Sequence, residues 1–506
     1  MSVPPTRPRP PHRSKTIAID LPLSARADGE SKQDWIYRVI RDRILDRSLM
    51  PLARLPSSRE LARSWNVSRG VVELAYERLA AEGFVLAAVG VGTLVASVNP
   101  DVFLALPAQN ESLPAPVSCP APERHESSLG ISAPRRQGRS AFIARTADPA
   151  LFPLERWRQM LSDCLRRLSM DTLMDEDPSG FFPLRQQIAA YLGNARGLRC
   201  DPECVVVVTG IRHAVDLVAR TVARGANVLI ENPGYSGAYE MFAAAGAMPV
   251  PVPVDAQGLD IEAARSVKAA IAYVTPAHQS PTGVVMSVQR RSDLLRWASD
   301  NDSWILEDDY DSEINYEGAP LLALKGADTE DRVIHCGSFN KTLFPSLRIG
   351  YMVVPRKLLP VIRHMRALTG RSNSITDQVA LAEFLKAGLF SSHLRRVRLI
   401  YKRRRDIAAS IFRNRLGHKI RITADNAGFH FLLWLPEGIQ ERALRERAAS
   451  CGIHLHCLSD YSYKSALPAA VLIGFSALTE DQIESSANEL SQLILELGQH
   501  CDTIQS

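Results

Sequence analysis

The hydrophobic positions of this chain keep a helical period first, then a strand period, then lose all period, and finally return as short buried runs. From Trp35, the residues Ile36, Val39, Ile40 and Ile44 fall at helical spacing, with Arg38, Arg41 and Arg43 between them. In Leu55-Pro56-Ser57-Ser58-Arg59-Glu60-Leu61-Ala62, Ser57 or Ser58 can cap a short helix with Glu60 in its first turn. Trp65-Asn66-Val67 reads as a tight turn, and Ser68 then caps a longer helix from Arg69 to about Ala81. The apolar positions of that helix are Val71, Val72, Leu74, Ala75 and Leu79, and Gly83 stops it. Two helices across a short turn, with a small polar residue and an arginine opening the second, have helix-turn-helix spacing. Phe84 to Ala96 alternates and carries Gly90 and Gly92, which predicts a two-stranded wing.

Residues 1–30, rich in Pro and Arg, predict a mobile basic tail, so the reader module spans 31–97. Residues 98–139 hold Pro, Ser and Ala without period, which predicts a flexible linker with a mean span of about 35 Å. The remainder, 140–502, is the large domain. In it Val205-Val206-Val207-Val208 reads as a buried strand, followed by a turn at Gly210 and a helix opening with Ile211 and Arg212. Backbone N–H groups at such a helix start suit a phosphate.

Charge and composition then narrow the class. The net charge is +5, with the basic excess in the N-terminal module and the remainder near neutral. That suits a nucleic-acid reader on a neutral partner. Hydrophobic content of 46% and charged content of 23% are ordinary for globular domains. The eight cysteines lack paired metal spacing, Cys200-x3-Cys204 being the nearest, so reduced thiols and no metal site are expected. The start has no apolar core of a secretory signal, and no apolar run reaches the ~18 residues of a membrane span, which predicts a cytoplasmic protein without membrane contact.

The candidate chemistry lies in two stretches. Gly337-Ser338-Phe339-Asn340-Lys341 continues to Arg348-Ile349-Gly350, a lysine in a small-residue turn with a serine before it and an arginine after it. A lysine amine forms Schiff bases with aldehydes, and pyridoxal phosphate is the cofactor that most uses this. The Ser338 hydroxyl and the Arg348 guanidinium suit a dianionic phosphate. Upstream, Trp304-Ile305-Leu306-Glu307-Asp308-Asp309-Tyr310 is an apolar run ending in acids. Alternation puts Asp308 and Tyr310 on one strand face and Glu307 on the other. A carboxylate there can keep a pyridine nitrogen protonated, and a phenol beside it can hydrogen-bond the ring's 3-oxygen.

Residues from about 140 to 500 resemble the fold-type I aminotransferases of class I/II. The wording His278-Gln279-Ser280-Pro281-Thr282-Gly283, Met286-Ser287, Arg290-Arg291 and Glu307-Asp308-Asp309-Tyr310-Asp311-Ser312-Glu313 resembles the MocR-type branch of the GntR regulators. Residues 31–97 resemble the GntR winged helix in Leu-Pro-Ser-x-Arg-Glu-Leu-Ala, Val-Ser-Arg, Ala-Glu-Gly-Phe and Gly-x-Gly-Thr. The resemblance implies an α/β fold: a winged helix-turn-helix, a linker, and an aminotransferase-like domain with a mainly parallel central sheet and a smaller C-terminal α+β part. It implies that Gly210, Ile211 and Arg212 neighbour the phosphate, that Tyr235 stacks on the pyridine ring, and that Ser280 stands where aminotransferases have the asparagine on the 3-oxygen. It implies that Arg59 and Arg69 meet operator DNA, with Arg54 and Ser68 on phosphates.

The departures from the family pattern are also specific. Leu52 follows Pro51 where relatives have glycine, and the wing segment Ala87 to Gly92 lacks a basic residue. Asp175 replaces a tyrosine that reaches the partner's phosphate, and Leu472 replaces the arginine that clamps a substrate carboxylate, with Arg145 and Arg212 as candidate substitutes. The arginines at 395, 396, 398 and 403–405 are expected on a solvated helix face. The implied function is a homodimeric, pyridoxal phosphate-dependent DNA-binding regulator that senses an amine or amino-acid-like effector by aldimine exchange at Lys341. The alternative is an active aminotransferase carrying a DNA-binding domain.

Overall fold

The computed structural model describes residues 26, 29–88, 92–96, 141–144, 146–316, 322–370, 372–463 and 467–505. Most of the expected tail, the linker, the wing tip at Gly90 and the candidate Arg145 lie outside them. The chain divides into two compact units, Met1–Pro122 and Glu123–Ser506.

The N-terminal unit has helices α1 (Lys32–Leu45), α2 (Ser58–Ser64) and α3 (Arg69–Ala81) and an antiparallel hairpin of β1 (Val85–Ala88) and β2 (Gly92–Val95). Its core joins Ile36, Val39 and Ile40 of α1 to Leu61 of α2 and Val72, Ala75 and Leu79 of α3. Ser57 caps α2 reciprocally: its Oγ accepts the Glu60 N–H at 3.3 Å, and its own N–H donates to the Glu60 carboxylate at 2.9 Å. One expectation is corrected. Ser68 sits at the N-cap of α3 but makes no capping hydrogen bond with its side chain. Of the apolar positions of α3, Leu74 is half-exposed, because the buried stripe runs through Val72, Ala75, Tyr76 and Leu79. Leu52 adopts φ 65°, a left-handed conformation that favours glycine, and its N–H donates to Val95 O at 3.0 Å.

The large unit is built on an eight-stranded sheet of β3 (Val205–Val208), β4 (Asn227–Asn232), β5 (Met248–Asp255), β6 (Gly258–Leu259), β7 (Ile271–Val274), β8 (Trp304–Asp309), β9 (Val333–Ser338) and β10 (Gly350–Val353). The spatial order is β3-β10-β9-β8-β7-β4-β5-β6. Neighbours from β9 to β5 run parallel, and β10 and β6 run antiparallel to theirs. The central strands are buried on both faces, so they read as unbroken apolar runs rather than alternations. A smaller antiparallel sheet follows, ordered β11-β12-β14-β13. Its strands are β11 (Arg421–Thr423), β12 (His430–Trp434), β13 (His456–Cys457) and β14 (Ala470–Gly474).

The 28-residue helix Leu389–Leu416 leads into this smaller sheet. Its basic run is not uniformly solvated: Arg395, Arg396 and Arg403 are exposed, but Arg404 and Arg405 are buried. Arg404 pairs with Asp148 at 2.9 Å, and Arg405 pairs with Asp406 at 2.6 Å. Unpaired burial would be costly, so these two read as structural.

Candidate functional site

The carboxyl ends of the parallel strands open into one cavity of about 310 Å³. Gly210, Ile211, Arg212, Tyr235, Ser280, Asp308, Tyr310, Ser338, Lys341 and Arg348 all line it. These are the ten residues that the sequence singles out for the cofactor. His213 and Asn340 line it as well and were not anticipated.

Each position follows from its element. β8 delivers Asp308 and Tyr310 at its end, and β9 delivers Ser338 and the lysine turn. Gly210 is the N-cap of helix Ile211–Val218, with φ 140° and no side-chain cap. A Cβ there would come within 2.8 Å of Asn340 Nδ2, so only glycine fits. The first N–H groups of that helix therefore stay open toward the cavity. Asn340 pins the lysine turn: its Nδ2 donates to Thr209 O at 3.0 Å, and its Oδ1 accepts the Ile349 N–H at 2.9 Å. Its own N–H donates to Ser338 Oγ at 3.2 Å. Arg348 stands in a left-handed conformation, φ 54°, and its carbonyl accepts from Asn373 Nδ2 at 2.6 Å.

Asp308 is buried, 4% exposed, and its Oδ2 accepts the Tyr273 hydroxyl at 2.5 Å. Its Oδ1 has no hydrogen-bond partner among the described residues. Burial raises its pKa to about 6, opposed by the Lys341 charge and the Tyr273 hydrogen bond. Glu307 points to the other side, as the alternation predicts. Burial alone would push it up, but His335 and the N–H groups of Leu324 and Lys325 outweigh that and hold it near 2. Lys341 Nζ lies 4.3 Å from the Tyr310 ring centroid. Around the helix start, Arg212 Nε donates to the Tyr235 hydroxyl at 3.1 Å. His213 accepts the Thr209 N–H through Nδ1, and burial, aided by Arg366, lowers its pKa to about 4, so it is neutral. Ser280 is set by a relay that starts at buried Glu231. Thr275 Oγ1 donates to that carboxylate at 2.6 Å and accepts the Ser280 N–H at 3.0 Å.

The residues fit pyridoxal phosphate. The unmatched Asp308 Oδ1 suits a pyridinium N–H. The open helix start, Ser338 and Arg348 suit a dianionic phosphate, and Lys341 suits an aldehyde. By contrast, Leu472 is fully buried in β14 and packs with Leu432, Leu458 and Ala470. Asp175 accepts the Asp177 N–H at 3.0 Å and does not line the cavity. No group of metal-ligating residues occurs among the described residues.

In the N-terminal unit, Arg54, Arg59, Ser68 and Arg69 are all exposed. Arg54 lies beside Gly92 of the wing, its Nε 3.2 Å from where a Cβ on that glycine would be. Arg69 pairs with Glu73 at 2.7 Å on α3. No described helix is long and apolar enough to cross a membrane.

Comparison with known proteins agrees with both units. Residues 147–490 match the family "Aminotransferase class I and II", and residues 32–95 match "Bacterial regulatory proteins, gntR family". The probable rhizopine catabolism regulatory protein MocR of Rhizobium meliloti is 33% identical over 91% of this chain and 93% of its own length. The pyridoxine biosynthesis transcriptional regulator PdxR of Corynebacterium glutamicum is 31% identical over 94% of this chain and 99% of its own. Among solved structures, the kynurenine aminotransferase of Pyrococcus horikoshii superposes with a TM-score of 0.66 at 26% identity, covering 71% of this chain and 92% of that one. A gntR-type reader joined to a class I and II aminotransferase fold, with full-length relatives of the same composition, means that the chain belongs to the MocR-type branch of the GntR family of transcriptional regulators.

Proposed function

We propose that this chain is a cytoplasmic, homodimeric regulator that holds pyridoxal phosphate at Lys341, reads duplex operator DNA with its N-terminal unit, and senses an amine or amino-acid-like effector by exchange at Lys341. The observation that carries it is the cavity in which Lys341 and Arg348 stand with Asp308, whose Oδ1 is unmatched among the described residues. Bound there, the cofactor supplies an aldehyde carbon that takes up amines and a ring that withdraws electrons. Asp308 would hold a proton at the ring nitrogen through Oδ1. Tyr310 would serve the 3-oxygen, and Tyr235 the ring. Ser338, Arg348 and the first N–H groups of helix Ile211–Val218 would hold the phosphate.

Leu472 favours sensing over turnover. A substrate carboxylate beside that apolar cluster would find no cation, and burying it unpaired costs several kcal/mol. Without a clamp the reacting bond is poorly aligned, and misplacement by about 1 Å can cost ~100-fold in rate. Amine exchange needs no such alignment, and loss of the lysine's tie can shift a conformational equilibrium. The exposed Met170 and Leu173 of the short helix Met170–Leu173, with exposed Met174 just after it, support a second copy covering that face. Arg54, Arg59, Ser68 and Arg69 would meet the DNA.

The test is spectroscopic. The loaded wild type should be yellow and gain a borohydride-fixed adduct mass, and Lys341→Ala should lose both. A yellow, reducible Lys341→Ala protein would overturn the assignment. Sustained transamination of a common amino acid by the wild type would instead promote the aminotransferase reading.

A further inference from the structure

The helix that opens with Arg69 also carries an acid, and the proposed function gives that acid no task. Glu73 stands one turn after Arg69 on α3, and its Oε1 accepts the Arg69 Nε–H at 2.7 Å. The same Oε1 accepts the Ser58 hydroxyl of α2 at 3.2 Å. Among the described residues, both of these side-chain hydrogen bonds end on Oε1, so Oε2 is left over on a side chain that is 42% exposed. Gly70, one turn before Glu73, is exposed as well, and a Cβ there would meet nothing within 4 Å. The backbone of α3 can therefore come close to a surface at this point, which brings the short Glu73 side chain within reach of it.

Helix stability does not account for the pair. Arg69 is the first residue of α3, at the positive end of the helix dipole, and the first turn holds no acid. A pair four residues apart is better with the acid first, and here the acid comes second. Beside DNA, a carboxylate also repels every phosphate and lowers affinity for all sequences alike. An acid is useful on such a face only where it meets a donor. In the major groove the donors are the amino groups of cytosine and adenine. Adenine sets the acceptor N7 next to its amino group, which opposes a carboxylate, whereas cytosine offers N4 alone.

We propose that Glu73 is a specificity-determining residue of the reader, whose carboxylate accepts a hydrogen bond from a cytosine N4 amino group in the major groove. The inference rests on the DNA reading above. Ser58 holds the carboxylate from α2, so Glu73 keeps its place when Arg69 turns to the DNA. Glu73 then penalises every sequence that lacks the cytosine, and this sharpens the choice made by Arg59 and Arg69.

The experiment selects duplexes from a random pool with the full-length protein at fixed salt, and then measures affinity on the selected duplex. Wild type should select cytosine at a position where both variants lose that preference. Glu73→Gln should take adenine there, because an amide pairs with N6 and N7 together. Glu73→Ala should accept all four bases there and bind non-specific duplex several-fold tighter, since one repulsion is gone. A further measurement needs no variant. N4-methylcytosine at that position replaces the groove-facing N–H by a methyl group, and it should weaken wild-type binding by about tenfold or more. Glu73→Ala should bind the methylated and plain duplexes equally. Cytosine preference retained by Glu73→Ala, or wild-type affinity indifferent to N4-methylation at every selected cytosine, would overturn the inference. Failure of the wild type to select any sequence would instead strike the DNA reading.

Discussion

Arg69 on the reader and Asp308 in the cavity are each tied to one neighbour, Glu73 at 2.7 Å and Tyr273 at 2.5 Å. Their surroundings differ completely. The Arg69 and Glu73 side chains are 52% and 42% exposed, whereas Asp308 is 4% exposed. Water and salt screen the first pair, which contributes about 0–1 kcal/mol and exchanges readily for a phosphate. Asp308 is shielded, so its state answers to protons and to whatever meets Oδ1. One chain thus carries a contact surface tuned by ionic strength and a cavity tuned by protonation and occupancy.

The largest departure is expected from Asp308→Asn, which turns Oδ1 from a charged acceptor into a neutral amide group. Cofactor retention, measured by absorbance after dialysis, should fall ~100-fold, about 3 kcal/mol. The same variant tests the shielding in cofactor-free protein. Asp308 titrates near 6 when folded against 3.8 as the ordinary value, so the folded chain binds this proton more tightly than the unfolded one. Its contribution to stability is full below about pH 4 and is lost as pH rises through 6. Urea midpoints should fall over that window in the wild type, and less steeply in Asp308→Asn. Identical slopes would mean that the cavity is as screened as the reader.

Arg69→Ala comes next. Operator affinity should fall by about 1–3 kcal/mol with relaxed base preference if the residue reads a base edge. A phosphate contact would instead lower the salt slope by about one. Affinity unchanged at every salt concentration would remove Arg69 from the interface. The smallest effect belongs to Leu52→Gly, which relieves a left-handed leucine at an exposed turn. The N-terminal transition should gain at most about 1 kcal/mol in urea denaturation. A loss of stability would mean that the leucine side chain contributes more than the backbone costs.

The cavity is legible in the sequence because its chemistry is local. Lys341, Ser338 and Arg348 fall within one turn and its flanks, and the two-residue period of β8 separates Asp308 and Tyr310 from Glu307. The missed residues act across the sheet or between distant segments. Tyr273 meets Asp308 only because β7 and β8 pair in parallel, and its one signal was a hydroxyl in an otherwise apolar strand. His278 and Asp311 are 33 residues apart in the chain and meet beneath the cavity. Asn340 sat in plain view beside the lysine, but its role depends on Thr209, 131 residues away. Arg404 and Arg405 depart from the expected solvated face because a charge run carries no trace of partners such as Asp148, 256 residues away. Leu74 is an apolar position of α3, and its angle on the helix turns it outward.

The left-handed backbone of Arg348 bears on how this position can change in descent. Glycine relaxes the backbone but removes the guanidinium. Lysine keeps a charge but loses the paired donors and stays strained. Asparagine tolerates the conformation and has no charge. Every single replacement gives up either the grip or the geometry, so drift here requires a second change in the same generation of variants, at Asn373 or in the loop that it holds.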